Sequence, residues 1–515
     1  MMAELPARNL KAFIALLEQA GDLVRVREPV DPVLEAGEIA DRFVKAGEGP
    51  ALLFEDPRPG RWSERAGRTT RATTADGRPV PLAMNLFASR RRMAWALGCE
   101  SLEEAVARVR EPLELAPPEG LWGKLKLLGK ARDWSAGMPR TVAGGPCQEV
   151  VVRGEELDRR GLLDLMPVLT TWPQDGGPFI TLPLVITRNP ETGRRNIGMY
   201  RMQVYDGRTT GMHWQLHKTG ADHYRASERR GERMPVCVAL GGPPSLTYAA
   251  TAPLPPEIDE SMFAGFLQGA PIAWTRALTC DLEVPAEADF VIEGYVDPGE
   301  RRSEGPFGDH TGFYTLPEEF PVFHVTAITS RRDPVYPSTI VGIPPMEDKW
   351  LGWATERLFL PLMQKPLPEV VDYHLPPEAC FHNLAIVAIR KQYPGHARKV
   401  CHALWGMGQM MFCKTIVVVD ADVDVHDPRE VVWRVTNSID PRRDTFFVDG
   451  PVDHLDHAVN VQFLGGKMGI DATAKWEGED GFRREWPPLV RMDEEVKRDV
   501  AERWRDLLAL AGRAK

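Results

Sequence analysis

Residues 304–314, EGPFGDHTGFY, place two carboxyl groups and an imidazole in one short segment. Glu304, Asp309 and His310 stand among glycines and a proline, which fit bends and close backbone approaches and weaken helices and strands. Acids in polar loops are usually solvated, so one interpretation is an ordinary surface loop. The other is proton transfer, because two close carboxylates near a cation can be driven to different pKa values, with one charged and one protonated. We expect His310 to be structural, with its ring capping the loop.

A second segment with useful side chains is RNIGMYRMQV, residues 195–204. Asn196 and Arg201 are five positions apart, so an ideal strand would point them to opposite faces. Gly198 could mark a bulge that brings both to one site. A structural salt bridge is the simpler role for Arg201.

Two histidines follow, His213 and His217, four positions apart and therefore expected on one face of a strand, with Lys218 beside them. An amide, imidazoles, a guanidinium and an ammonium are the groups that phosphate and metal sites use. A strand histidine is more often a hydrogen-bond partner of the backbone. Glu260 is expected at a helix start, where its carboxylate would be favoured by free amides without any metal. Composition and spacing leave both interpretations open.

The bulk composition limits the class of protein. A chain of 515 residues predicts several domains, and 43% hydrophobic with 26% charged residues is typical of soluble globular proteins. The net charge of −10 argues against nucleic acid as the main partner. One basic segment, KLKLLGKAR at 124–132, is interpreted as a solvated helix face.

Cysteine usage and hydropathy indicate a cytoplasmic location. Seven cysteines are scattered without a CxxC pair, which suits reduced thiols and not a disulfide framework or a zinc site. The first residues carry acids among apolar positions and lack a signal-peptide layout. No uninterrupted apolar run approaches the roughly 18 residues that a membrane helix needs.

Three regions with different sequence patterns follow one another along the chain. Residues 1–118 mix helical and strand patterns, including a helix from Leu10 and a strand at 22–26, and predict a small α/β domain. Residues 119–328 are rich in strands, with a hairpin turn at Asp206-Gly207, and suggest a closed or split barrel. Residues 329–515 contain a buried parallel strand at 414–425 and predict a doubly wound α/β domain.

The last element is predicted to be one amphipathic helix. RMDEEVKRDVAERWRDLLALAG carries an apolar stripe that would pack on its own domain or on another subunit. The stripe consists of Met492, Val496, Val500, Trp504, Leu507, Leu508 and Ala511.

Six segments together resemble the UbiD family of prenylated-flavin-dependent decarboxylases, from about residue 140 to residue 486. They are NIGMYR, LEVPAEADFVIEGY, EGPFGDHTGFY, FPVFHVTAIT, KQYPGHARKV and GGKMGIDATAKW. The resemblance implies an N-terminal α/β domain, a central split β-barrel similar to flavin reductases, and a Rossmann-like C-terminal domain with an oligomerising helix. It also implies a dimer or hexamer and a flavin prenyltransferase as the supplier of the cofactor.

The resemblance assigns roles to particular residues. Arg201 matches the active-site arginine, Glu304 and Asp309 the acidic pair, with Asp309 as proton donor, and Lys467 a lysine that reaches the cofactor. Prenylated FMN is implied as cofactor, its phosphate held through Mn²⁺ with K⁺ nearby. The remaining implied contacts to the cofactor are Met199, Tyr200, His213, Trp214, Gln215 and Lys218.

The implied metal ligands are Asn196, Glu260 and one histidine. His213 and His217 both qualify for that position, because the hairpin length in this chain does not separate them.

The implied reaction is reversible loss of CO₂ from an aromatic or α,β-unsaturated acid. The protein would place and protonate the substrate while the cofactor takes the electrons. A hydroxybenzoate-type or quinone-precursor acid is the implied substrate. GMHWQLHKTG, at 211–220, departs from the ubiquinone-pathway pattern, so menaquinone-pathway and catabolic aromatic acids stay open. Two other classes are a flavin reductase, against which the lack of a GxGxxG after a strand argues, and an inactive scaffold.

Overall fold

The computed structural model describes residues 5–114, 137–255 and 257–512. The basic segment 124–132 therefore lies outside the described residues. The first part of the chain alternates helices with short strands: α1 (Leu10–Gln19), β1 (Leu23–Val26), α2 (Glu35–Lys45), β2 (Ala51–Phe54), α3 (Arg61–Arg65), β3 (Leu82–Met84), α4 (Arg90–Ala96) and α5 (Leu102–Glu114).

The start of α1 shows why these elements form. Asn9 caps the helix by accepting a hydrogen bond from the amide of Ala12, and Leu10, Phe13 and Leu17 bury one face. The helix predicted from Leu10 and the strand predicted at 22–26 are both confirmed.

The middle of the chain is dominated by strands. Its elements are β4 (Arg140–Thr141), β5 (Val150–Arg153), α6 (Glu155–Arg159), α7 (Leu162–Leu165), β6 (Phe179–Ile180), β7 (Leu184–Arg188), β8 (Arg195–Met199), β9 (Met202–Gln203), β10 (Thr209–Gly211), α8 (Thr219–Arg230), β11 (Met234–Leu240), α9 (Pro244–Ala249), α10 (Glu260–Gln268), β12 (Ala273–Arg276), β13 (Glu283–Pro285), β14 (Phe290–Glu304), β15 (Phe307–Gly308), β16 (Tyr314–Thr315) and β17 (Glu318–Ser330).

Seven of these strands form one antiparallel sheet in the order β10-β17-β14-β11-β7-β8, with β5 also paired to β17. The long strands β14 and β17 are neighbours, and Glu304 lies opposite Glu318 where their pairing ends. The connection between them, residues 305–317, contains the segment EGPFGDHTGFY from its second residue onward, and β15 and β16 pair with each other within it. The largest sheet therefore positions both acids. The prediction that this part of the chain is rich in strands is confirmed, since the strands form an antiparallel sheet within a mixed α/β fold.

The N-terminal sheet is completed from far along the chain. Its strand order is β1-β2-β3-β18, where β18 (Tyr336–Pro337) runs parallel to β3. The chain thus returns to the first sheet only after the whole central sheet has been formed.

The last part of the chain contains a five-stranded sheet in the order β19-β20-β21-β23-β22, with β20, β21 and β23 parallel. This confirms the buried parallel strand predicted at 414–425, which is observed from Thr415 to Asp420. The elements are α11 (Asp348–Met363), β19 (Val370–His374), β20 (Leu384–Ile389), α12 (His396–Trp405), β21 (Thr415–Asp420), α13 (Pro428–Ser438), α14 (Pro441–Asp444), β22 (Thr445–Pro451), β23 (Leu464–Asp471), α15 (Glu494–Arg503) and α16 (Arg505–Gly512).

The prediction of one continuous terminal helix is wrong. Trp504 leaves the helical conformation at φ −113° and divides the segment into α15 and α16. Val496, Val500 and Trp504 are exposed in the single chain, and α15 buries no residue. Packing of this stripe on its own domain is therefore not observed among the described residues, and packing on another subunit stays a prediction.

The cysteines are all free thiols, six of them buried. Cys237 and Cys280 approach each other with their sulfur atoms 3.4 Å apart, without a disulfide. In the described parts of the chain, every helix is too short or too polar to cross a membrane.

Candidate active site

Arg201 lies at a break between two strands. β8 ends at Met199 and pairs with β7, whereas β9 begins at Met202 and pairs with β6. The pairing of β8 with β7 runs through Gly198 without a shift, so the bulge expected at this glycine is wrong. The ring of Tyr200 instead folds back over Gly198, where a Cβ would come within 2.2 Å of the Tyr200 hydroxyl. The strand break, and not a bulge, redirects Arg201.

The guanidinium of Arg201 connects both acids of the opening segment. Its Nε donates to Oε1 of Glu304 at 3.0 Å, its Nη1 donates to Oδ2 of Asp309, and its Nη2 donates to the Thr315 hydroxyl at 3.1 Å. Its face lies 4.5 Å from the centroid of the Phe307 ring. Glu304 is 1% exposed and Asp309 6% exposed, so this is a desolvated group of charges. The structure thus brings together Arg201, Glu304 and Asp309, as predicted.

Both carboxyl groups are held in the charged state. Burial alone would raise the pKa of Glu304, but the neighbouring His213 and Arg201 lower it below its usual value. Burial likewise opposes ionisation of Asp309, and Arg201 together with His310 lowers its pKa strongly. The expected division into one charged and one protonated acid is therefore not observed in the ligand-free chain, because one guanidinium stabilises both carboxylates.

His213 is the second partner of Glu304. Its Nδ1 lies 2.7 Å from Oε2 of Glu304, while its Nε2 is buried without a hydrogen-bond partner. Burial and the charge of Arg201 lower the pKa of His213, which favours a neutral ring that donates from Nδ1. A neutral ring held in this way presents the lone pair of Nε2 to whatever lies beside it.

His310 extends the group of charges in the other direction. Its Nδ1 lies 2.8 Å from Oδ1 of Asp309, and its Nε2 lies 3.2 Å from Nε2 of His382. One of these two Nε2 atoms must donate and the other accept. Burial lowers the pKa of His310, but the hydrogen bond and the charge of Asp309 raise it above its usual value. His310 thus contacts Asp309 as a proton-bearing group.

The expected metal ligands Asn196 and Glu260 lie close together. Asn196 is buried on β8, and Glu260 begins α10 and accepts a hydrogen bond from the amide of Ile197 at 3.1 Å. Burial raises the pKa of Glu260 to about 7. A buried carboxylate with this weak an acidity would be stabilised as an anion by a nearby cation.

The two candidate histidines do not share a strand face, because β10 ends at Gly211, before either of them. His213 is buried and points toward Glu304, whereas His217 is exposed and its ring contacts Phe412 and Phe463. The strand expected through 217 is therefore wrong.

A cavity of about 340 Å³ is lined by Trp214, the residue that follows His213. Its lining combines aromatic side chains with charged ones. The aromatic residues are Trp214, Tyr224, Phe320, His454 and Phe463, and the charged residues are Arg225, Glu228, Arg301, Glu318 and Glu319. Phe320 and His454 also contact the His213 ring, with centroids 4.2 and 6.0 Å away. The volume and the mixed apolar and polar lining are typical of a small-molecule site.

Comparison with known proteins identifies the family. Residues 14–109, 140–344 and 349–472 match the N-terminal, Rift-related and C-terminal domains of the family described as 3-octaprenyl-4-hydroxybenzoate carboxy-lyase, UbiD. The chain belongs to the UbiD family. Among its relatives, an uncharacterized protein of Archaeoglobus fulgidus is 50% identical over 501 residues, 97% of this chain and 98% of that protein. Another, from Aquifex aeolicus, is 48% identical over 499 residues, 96% of this chain and 98% of that protein.

Solved structures of UbiD-class enzymes have the same fold. Vanillic acid decarboxylase of Sedimentibacter hydroxybenzoicus, in its closed form, has a TM-score of 0.81 at 26% identity, covering 97% of this chain and 99% of that one. The UbiD-class enzyme HmfF of Pelotomaculum thermopropionicum, in complex with FMN, has a TM-score of 0.72 at 30% identity, covering 93% and 97%. An evolved dimeric form of HmfF is in complex with prFMN, the prenylated cofactor.

The lysine assigned to the cofactor by family resemblance has other partners in this UbiD chain. Nζ of Lys467, on β23, donates to the carbonyls of Met411 and Cys413 at 2.7 and 2.9 Å. Burial lowers the pKa of Lys467 to about 8. Contact between this lysine and a cofactor stays a prediction.

Three contacts of the site were missed by the sequence analysis. Thr315 belongs to the end of the hairpin connection, directly after the segment singled out, so a longer window would have included it. His382 and His454 come from distant segments of the last part of the chain, and no local pattern indicates them. Only the packing of that part against the central sheet brings them near His310 and His213.

Proposed function

We propose that this UbiD-family protein is a prenylated-FMN-dependent carboxy-lyase that removes CO₂ from an aromatic or α,β-unsaturated acid, reversibly and without oxidation. The observation that carries the proposal is the buried group formed by Arg201, Glu304 and Asp309. An arginine held by two carboxylates is a fixed cation that can orient a substrate carboxylate.

Glu304 orients Arg201 and His213 at the same time. Its two oxygens accept from different side chains, so the guanidinium and the imidazole are fixed relative to each other. Substrate placement through Arg201 therefore depends on Glu304, a positioning residue in this proposal.

Loss of CO₂ from a carboxylate leaves an electron pair on carbon, and one proton must replace the bond that breaks. Asp309 is the proposed donor to that carbon. Because its pKa is strongly lowered in the resting chain, the proton is supplied from His310, whose Nδ1 lies 2.8 Å away. His382 is in hydrogen-bond reach of His310 and can return a proton to it.

The cofactor residues fit a flavin on observations independent of the family. Nε2 of His213 and Nε1 of Trp214 are buried polar atoms without partners, next to the cavity of about 340 Å³. Burial lowers the pKa of Lys218, which precedes α8, so this ammonium would be stabilised by an anion such as a phosphate at the start of the helix. Prenylated FMN, when bound, supplies the electron sink for decarboxylation. Met199, Tyr200, Gln215 and Lys467 complete the proposed contacts.

For the metal we propose Mn²⁺, with K⁺ nearby, held by Asn196, Glu260 and one imidazole. The buried Glu260, whose pKa is raised, supports a cation at this place. Measuring bound manganese in His213→Asn and His217→Asn variants shows which of the two histidines binds the metal.

The finer architecture belongs to the same proposal: domain limits at residues 118 and 328, a split barrel in the middle, and a Rossmann-like last domain. A dimer or hexamer formed through the exposed stripe of α15, a cytoplasmic location and loading by a flavin prenyltransferase are further parts of it. The seven free thiols support a reducing compartment.

The substrate class is a hydroxybenzoate-type acid or a quinone precursor. The aromatic side chains in the cavity wall support a planar ring, which Trp214, Tyr224 and Phe320 would contact.

The test is to co-express the protein with a flavin prenyltransferase and to identify the released small molecule by mass and absorbance. Purified holoenzyme is then incubated with aromatic acids in D₂O. We expect prenylated FMN at near one per chain and a product with deuterium at the former carboxylate position. Bound ordinary FMN, together with oxidation of a nicotinamide cofactor, would favour the flavin-reductase alternative. Purification without any flavin would favour an inactive scaffold.

A further inference from the structure

Three metal-ligating side chains meet at the edge of the last sheet, on elements other than those that carry Arg201 and Asn196. They are Glu356 on α11, His374 at the end of β19, and His426 in the turn between β21 and α13. One ligand atom from each lies within 4.8 Å of the others. Residues far apart in sequence thus converge on one point.

The first two ligands are in hydrogen-bond contact, at a spacing close to that of two ligands of one metal ion. Nδ1 of His374 lies 3.1 Å from both oxygens of Glu356. A tetrahedral zinc ion with bonds of about 2.0–2.2 Å holds its ligand atoms roughly 3.3 Å apart. The ring of His426 lies 4.7 Å from that of His374, centroid to centroid. Because the three ligand atoms lie within 4.8 Å of one another, a shift of the His426 ring toward the other two would bring all three to bonding distance of one ion.

The charged side chains around the three ligands favour binding of a divalent cation. Asp372 lies beside His426, with Oδ2 3.4 Å from Nε2. The guanidinium of Arg357 is 2.7 Å from Asp372 and 3.9 Å from Glu356. Two carboxylates face one guanidinium, so the pocket carries a net negative charge when both imidazoles are neutral. Neutral imidazole and carboxylate are the forms that bind a metal ion.

The three ligands are held in place by their surroundings. Glu356 is 1% exposed and accepts from the amide of Leu375 at 2.8 Å, next to His374 on the strand. The turn that carries His426 is anchored by the buried side chains of Val423 and Val425. Preorganised ligands reduce the entropy lost on binding. His426 remains 32% exposed, which provides a path for the ion.

We propose that Glu356, His374 and His426 bind one divalent transition-metal ion of the zinc type, in a structural site that joins α11, β19 and the turn before α13. Two imidazoles and one carboxylate suit zinc, and water or Asp372 can take the fourth position. The site is separate from the manganese proposed at Asn196 and Glu260, and does not depend on the decarboxylase proposal.

The experiment is a Zn²⁺ titration of full-length, chelator-treated protein by calorimetry, with Co²⁺ absorbance as a second probe of nitrogen and oxygen ligands in tetrahedral geometry. Four proteins are compared: wild type, His426→Asn, Asn196→Ala and His402→Asn. The last changes an exposed histidine of the same part of the chain and is the matched control.

We expect at least one zinc equivalent in wild type, in Asn196→Ala and in His402→Asn, with a higher melting temperature when zinc is bound. Affinity should fall by at least about 100-fold in His426→Asn, since changes to groups that only support ligands already cost 10–100-fold. Glu356→Gln should also lose zinc binding. Because Glu356 is buried, the folding of this variant is checked by circular dichroism. The test of the proposal therefore rests on His426→Asn, since His426 lies at the partly exposed rim of the site. Equal zinc binding by His426→Asn and His402→Asn, or no zinc equivalent in Asn196→Ala, would overturn the proposal.

Discussion

Replacing Glu304 by Gln tests whether its charge holds the active-site group together. Glu304 accepts two charge-assisted hydrogen bonds, from Arg201 and His213, and is almost completely buried. Such bonds contribute about 1.5–3 kcal/mol each and neutral ones about 0.5–1.5, so the substitution should destabilise the hairpin β14–β17 by roughly 2–3 kcal/mol. Glu304→Ala leaves two buried donors without an acceptor and should cost more, about 3–5 kcal/mol.

Hydrogen exchange of peptides from β14 and β17, followed by mass spectrometry, measures the opening of this hairpin without requiring two-state unfolding of the whole chain. A loss of 2–3 kcal/mol corresponds to roughly 30- to 160-fold faster exchange of the protected amides. Glu319→Gln, at an exposed neighbouring position on β17, is the control and should exchange like wild type.

The pH dependence has a definite sign. The pKa of Glu304 is lowered in the folded chain, so its contribution is present above the unfolded value of about 4.3 and is lost as the pH falls through the folded value. The difference between wild type and Glu304→Gln should therefore shrink in acid. Equal protection in the two proteins at neutral pH, or a difference that grows as the pH falls, would refute the reasoning.

Three further predictions concern catalysis and assembly. Asp309→Asn should bind prenylated FMN like wild type and lose about 10²–10⁴-fold in the decarboxylation rate, measured as CO₂ release; a rate near that of wild type would exclude Asp309 as the donor. His310→Asn should lower kcat more than it changes KM and should remove the decline of activity at alkaline pH, because the raised pKa of His310 keeps its proton below that value and releases it above; an unchanged pH–rate profile would contradict this. Val496→Asp combined with Val500→Asp should reduce the oligomeric state seen by light scattering with little change in thermal stability, since both side chains are exposed in the single chain; an unchanged mass would remove α15 from the interface.

The sequence predicts the elements whose pattern is local. Alternation and apolar runs indicate the strands around 184–188 and 415–420, and the stripe at Leu10, Phe13 and Leu17 indicates α1. Each of these signals comes from side chains that are buried in the observed core, so hydrophobic periodicity was sufficient.

Other features depend on contacts that no local pattern encodes. The break between β8 and β9 follows from pairing with two different strands, and the ring of Tyr200 packs over Gly198 beside it. The helix break at Trp504 falls within an uninterrupted amphipathic pattern. The shared ionisation of Glu304 and Asp309 requires Arg201 to lie between them, which spacing along the chain does not reveal.

The short strand β18 has a consequence for synthesis of the protein. Tyr336 and Pro337 pair with Leu82 and Ala83 and supply the outer edge of the first sheet. A nascent chain that has left the ribosome only as far as residue 118 lacks that edge, and β3 presents unpaired backbone groups there. The first sheet can gain its last strand only after about two-thirds of the polypeptide has been translated. During that interval the exposed edge of β3 is a site for chaperone capture or for pairing between nascent chains.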